Sequence, residues 1–190
     1  MKLSNRVLKM EESVTLATAA RAKALKAQGR DILSLTLGEP DFPTPKNIRD
    51  AAVAAIEDGR ASFYTMTSGL PELKEAVVEY FANYYGYTIQ PNQVTVATGA
   101  KFSLYTFFMS VLDQGDEAII PTPYWVSYGD QIKMAEGIPV FVQATEENSF
   151  KVTVKQLEAA RTDKTKVLVL NSPSNPTGMI YTADELRAIG

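Results

Sequence analysis

Along the first ninety residues the chain alternates helix-forming stretches with segments broken by proline and glycine. Residues 14–28, rich in Ala, Leu and Lys, predict a helix, with Gly29 placed to end it in a left-handed turn. A short strand is expected over 32–35. It leads into LGEPDFPTP, whose three prolines block both helix and sheet and demand irregular backbone. Two more helices are expected, 45–58 and 71–85, each with proline in its first turn, where the missing N–H costs nothing. From Gln93 onward the pattern changes to short apolar runs, VTVA, EAIIP, IPVFV and KVLVL, separated by segments long enough for helices. That alternation predicts βαβ units and a largely parallel sheet buried on both faces, a fold that places ligands at the carboxyl ends of its strands.

The last segment reads T-A-D-E from Thr182, a capping box in which Glu185 stands three residues after the N-cap and starts a helix. The sequence stops at Gly190, roughly two turns on. Two expectations stand there: a truncated chain, or a helix with a glycine stop.

Composition narrows the chemistry. The 190 residues include 45% hydrophobic positions, enough for one sizeable core and part of a second domain. No apolar run approaches the roughly 20 residues that span a bilayer, and the opening MKLSNRVLKMEES lacks the apolar centre of a secretory signal, so a cytoplasmic protein without membrane contact is expected. The net charge is −3 with scattered lysine and arginine, which argues against a nucleic-acid partner. Cysteine and histidine are both absent, which removes disulfides, thiolate nucleophiles, histidine-based triads and the usual metal ligands; no metal is expected. Proton transfer would fall to Lys, Tyr, Asp, Glu or a cofactor.

Three strings carry candidate chemistry. VTVATGAKFSLYTFF predicts a strand, a tight turn at Thr98–Gly99 and a helix from near Ala100, whose unpaired N–H groups and dipole suit a phosphate; Lys101 or Ser103 could add to it. The Gly-Lys-Ser/Thr spacing of a Walker loop is missing, and so is a GxGxxG fingerprint, so a nucleotide-binding domain is disfavoured. PTPYWVSYGD holds the only tryptophan, Trp125, which can stack on a flat heteroaromatic ring or simply pack beneath a loop. KVLVLNSPSNPTG runs a buried strand into Asn171 and Asn175, neutral hydrogen-bonding groups where a ligand would sit, although Asn-Pro and Thr-Gly are also common turn pairs.

The order LGEPDFPTP, FYTMTSGLPELKEAV, VTVATGAKFSL, PTPYWVSY, NSPSNPTG resembles the class I aminotransferases of fold type I, closest to prokaryotic aspartate aminotransferases, over nearly the whole chain. The resemblance implies a three-layer α/β/α large domain with a mostly parallel sheet, incomplete here, preceded by an N-terminal helical arm. Residues 1–44 would form the arm and a small-domain segment, and 45–190 the N-terminal part of the pyridoxal-phosphate-binding large domain. It implies pyridoxal 5′-phosphate as cofactor and transfer of an amino group from an amino acid, aspartate above all, to a 2-oxo acid such as 2-oxoglutarate. Related carbon–sulfur lyases share these strings, and a catalytically silent fragment or binding module is the reading from a different class.

By the same resemblance, Gly99, Ala100 and Lys101 hold the cofactor phosphate, Trp125 stacks on its ring, and Asn175 bonds the ring hydroxyl and reaches the substrate carboxylate. The backbone N–H of Gly38 serves the substrate carboxylate, and Tyr64 crosses a homodimer interface to the partner's phosphate. The turn reads ATGAK where relatives often carry a second glycine or a serine, but Ala100 keeps its N–H. Cis peptides are implied at Pro123 and Pro176, a geometry found in about 5–6% of X-Pro bonds. The Schiff-base lysine, the aspartate facing the ring nitrogen and the carboxylate-binding arginine are expected beyond Gly190, so no catalytic residue is assigned.

Overall fold

The computed structural model describes residues 2–8, 10 and 14–190. They fall into two compact units, residues 14–97 and residues 98–190 with the described residues before 13.

The short helix α1 (Asn5–Leu8) groups with the second unit. The 14–97 unit is helical among its described residues: α2 (Val14–Ala27), α3 (Lys46–Glu57) and α4 (Pro71–Tyr85). The local signals act as expected. Pro45 is the residue before the first turn of α3, Pro71 stands at the first position of α4, and α2 stops just before Gly29. The LGEPDFPTP stretch is irregular. Two expected strands are not formed. Residues 32–35 stay outside any ladder, with Leu33 and Leu35 94% and 98% exposed, because extended backbone becomes a strand only when a neighbour satisfies its N–H and C=O groups. Residues 94–97 make one such bond, Val96 N–H to Ser68 O at 2.9 Å, and no ladder.

The second unit carries the predicted alternation: α5 (Ala100–Val111), β1 (Glu117–Thr122), α6 (Ser127–Met134), β2 (Ile138–Gln143), α7 (Val154–Ala160), β3 (Thr165–Leu168) and α8 (Ala183–Ile189). The three strands are parallel in the order β2-β1-β3, with Glu117 opposite Ile138 on one side and Ala118 opposite Val167 on the other. Successive side chains of β1 point to opposite faces. Ala118 and Ile120 enter a core with Phe108 and Leu112 at the end of α5 and Ile132 and Ala135 of the α6 region. Ile119 enters a second core with Val142, Val152, Leu157 and Tyr181, against which Ile189 of α8 packs. This is the expected α/β/α layering, with β1 buried on both sides. Fully burying an isoleucine stabilises by roughly 1.5–3 kcal/mol, so β1 is the most strongly determined strand.

The layering also fixes where a ligand can enter. β1 leaves its carboxyl end toward α6 on one face, whereas β3 leaves toward α8 on the other. Adjacent strands whose connections diverge open a crevice at their carboxyl ends. Thr182 starts α8 as predicted: its hydroxyl accepts from Glu185 N–H at 3.2 Å while Glu185 Oε2 accepts from Thr182 N–H at 2.7 Å. At the opposite edge Lys166 donates to Asp116 at 2.7 Å, which holds the Asp116 carboxyl below its ordinary value.

One glycine in the helical unit is constrained sterically. Gly69 has φ +107°, and a Cβ built there would stand 2.7 Å from both Cβ and Cγ2 of Val96. Gly69→Ala is expected to lower unfolding free energy by about 2–4 kcal/mol through overpacking and backbone strain, read as a shifted urea midpoint. An unchanged midpoint would contradict the close approach of these two segments.

Candidate functional site

The turn between residue 97 and α5 is built around Gly99, at φ 82° and ψ 162°, a backbone region essentially reserved for glycine. Space around it is open, since a built Cβ would meet nothing within 4 Å. The first N–H groups of a helix have no partner inside it. Here Phe102 and Ser103 N–H turn back to Gly99 O at 3.2 Å each, while no side chain caps the terminus. Ala100 and Lys101 N–H are thus left without a partner among the described residues, on an exposed surface and at the positive end of the helix dipole. The Ser103 hydroxyl points to Gly99 O at 3.4 Å and away from a ligand role.

Lys101 joins this terminus to the turn after β1. Its Nζ lies 5.1 Å from the centroid of the Trp125 ring, within the range where a cation is attracted to an aromatic face. Trp125 in turn meets Tyr128 edge-on, ring centroids 5.4 Å apart at 84°. Trp125 is half-buried, so its indole is neither sealed in the core nor loose. Burial pushes the Tyr128 hydroxyl above its ordinary value.

Next to these rings lies a shallow cavity whose lining includes Pro123, Tyr124, Tyr128, Asn171, Ser174 and Asn175. Its wall comes from loops that leave the neighbouring strands β1 and β3. The 171–181 loop is tied to itself: Asn171 Oδ1 accepts from Asn175 N–H at 2.9 Å, Ser172 Oγ from Tyr181 N–H at 3.1 Å, and Ser174 O from Gly178 N–H at 2.7 Å. The peptides before Pro123 and Pro176 are cis, as the resemblance implied, and so is the one before Pro173. Asn175 is exposed, and its side-chain amide takes no part in the hydrogen bonds of the described residues.

The structure therefore brings Lys101 against Trp125, and sets Asn175 on the cavity that Tyr128 shares. Gly38 and Tyr64 belong to the other unit, both exposed, Tyr64 completely. Two residues of this region escaped the sequence reading. Tyr181 is 7% exposed and its hydroxyl accepts from Val152 N–H at 2.9 Å, bracing the cavity floor. Gln131 is 7% exposed and donates to Lys101 O at 2.7 Å. A signal for Gln131 exists in the sequence: it stands three residues after Tyr128 and four before Ala135, on the apolar face of its helix.

In kind these groups suit a flat ring bearing a phosphate: free N–H donors and a cation lie against an aromatic face, and a neutral amide lines a cavity shared with Tyr128, the neighbour of that aromatic. Similarity points the same way. The family model described as aminotransferase class I and II matches residues 30–190. An asparagine–oxo-acid transaminase of Streptococcus mutans is 68% identical over 189 residues, covering 100% of this chain and 48% of that protein. An aspartate aminotransferase of Bacillus subtilis is 52% identical over 190 residues, with 100% and 48% covered. The solved aspartate aminotransferase of Thermus thermophilus with maleate superposes with a TM-score of 0.96 at 41% identity, over 100% of this chain and 49% of that one. The chain spans about half the length of the curated relatives it matches.

Tyr181→Phe would leave the buried Val152 N–H without its acceptor. The expected cost is about 1–3 kcal/mol of unfolding free energy, measured by chemical denaturation. A variant as stable as the parent would mean that the cavity floor does not depend on this bond.

Proposed function

The chain belongs to the class I and II aminotransferase family, and on that premise we propose that it forms the cofactor cradle of a pyridoxal-phosphate-dependent transaminase acting on aspartate or its amide, asparagine. The amino group passes to a 2-oxo acid such as 2-oxoglutarate. The names of the Bacillus and Thermus relatives support aspartate, and that of the Streptococcus relative supports asparagine. In this reading residues 1–44 supply an arm and a segment of a smaller domain, and 45–190 belong to the cofactor-binding domain.

The observation that carries the proposal is the pair of free N–H groups at Ala100 and Lys101, beside a lysine that already rests on the only tryptophan. When bound, the cofactor supplies an electron sink for the pair left behind as the Cα proton is removed. This chain's residues bind and orient. Ala100 and Lys101 N–H donate to the phosphate, and the Lys101 ammonium adds charge at the same end. Trp125 holds one face of the ring by offset stacking. Asn175 donates its amide N–H to the ring hydroxyl and reaches the substrate carboxylate. Gly38 N–H serves the substrate carboxylate, and Tyr64 serves the phosphate of a partner subunit in a homodimer. None of these side chains is assigned to proton removal.

A substitution tests the phosphate role without disturbing the helix. Ala100 is the first residue of α5, the position where proline is tolerated, and Gly99 before it already has an extended ψ of 162°. Ala100→Pro deletes one N–H and little else. A charge-assisted hydrogen bond contributes about 1.5–3 kcal/mol, so pyridoxal phosphate should bind at least about tenfold more weakly at unchanged melting temperature. Titration followed by quenching of Trp125 fluorescence gives the affinity. Undiminished affinity would remove the α5 terminus from the phosphate site, and a wild-type chain that does not bind the cofactor would refute the proposal.

A further inference from the structure

Gln131 sits in α6 at 7% exposure, on the side that carries Ile132 and Ala135 into the core. A buried amide ordinarily satisfies both of its ends. This one satisfies half: Nε2 donates to the main-chain oxygen of Lys101 at 2.7 Å, across 30 residues, while Oε1 has no hydrogen-bond partner among the described residues. The orphaned carbonyl costs stability, and an apolar side chain of similar length would avoid that cost. What a glutamine adds here that an apolar residue cannot is the bond to Lys101.

Its bond reaches one residue only, and that residue is held twice. The Lys101 carbonyl is gripped by Gln131, and the Lys101 ammonium rests over the ring of Trp125. Both anchors belong to the short segment after β1, six residues apart. Lys101 lies in the first turn of α5, whose free N–H groups open on the surface. Fixing that carbonyl fixes the height of the turn relative to the indole.

We propose that Gln131 is a positioning residue, whose side-chain N–H sets the anion-binding turn of α5 at the distance from Trp125 that one phosphorylated aromatic ring requires. This deepens the reading of the site as a pyridoxal phosphate cradle and rests on it. Gln131 touches no ligand; it acts through Lys101. Its loss therefore weakens recognition of the phosphate while leaving recognition of the bare ring alone.

Pyridoxine 5′-phosphate and pyridoxine separate the two, since they share the ring, differ by the phosphate, and lack the aldehyde that reacts with lysines. Each is titrated into the chain and into Gln131→Met, with quenching of Trp125 as the readout and thermal unfolding as the control. The expected result is about a tenfold weaker affinity for pyridoxine 5′-phosphate, pyridoxine affinity within about twofold, and a melting temperature unchanged or raised. Equal weakening for both ligands, or weakening for neither, overturns the positioning role. Gln131→Leu repeats the comparison should the methionine variant not melt cooperatively, and loss of cooperative melting in both variants also overturns it. Failure of the wild-type chain to prefer the phosphorylated ligand is a separate outcome: it contradicts the site reading itself, and the positioning role with it.

Discussion

Burial of β1 on both faces is the constraint from which the rest of the second unit follows. Ala118 and Ile120 commit one face to α5 and α6, and Ile119 commits the other to the 152–157 region and Tyr181. A strand held from both sides cannot slip by one residue without exchanging its two sets of side chains. Its carboxyl end is fixed as a consequence, and with it the turn that carries Trp125. The neighbouring β3 delivers the Asn175 loop to the same edge, because the two strands are parallel and directly paired. Diverging connections then leave a crevice there without any residue having to be dedicated to making one.

The chemistry at that edge is mostly backbone chemistry. A glycine conformation closed to other residues exposes two N–H groups at a helix terminus, and a lysine from the same turn lies on the indole of the next. Such a site needs no histidine, cysteine or metal, which suits a chain that has neither residue. On the proposed reading the reactive chemistry would come with the cofactor, and this chain would contribute fixed dipoles, one aromatic face and neutral amides. Gln131 fits the same pattern, a buried amide whose bond runs to the main-chain oxygen of Lys101.

What could be read from the sequence was what local chemistry decides. Pro71, Gly29, the Thr182–Glu185 box and the Gly99 turn act within a few residues of themselves, and each marks an element boundary within a residue or two. Three of the apolar runs became strands because they found one another; Val94–Ala97 and 32–35 have similar composition and no ladder, since pairing is a property of the neighbours. The same limit applies to the site. Gly99, Trp125 and Asn175 stand out through their surrounding strings, whereas the bonds that Gln131 and Tyr181 make span 30 and 29 residues, and no local pattern encodes the partner.

On the proposed reading the α5 terminus, the indole and the Asn175 amide serve a single ligand. The most direct measurement is a nuclear magnetic resonance titration of the isotopically labelled chain with pyridoxal 5′-phosphate, following the backbone N–H of Ala100 and Lys101, the Trp125 indole N–H and the Asn175 side-chain amide. All four signals moving together along one binding curve is the predicted result. Signals that move with different affinities, or an Asn175 amide that stays still while Ala100 shifts, would contradict it.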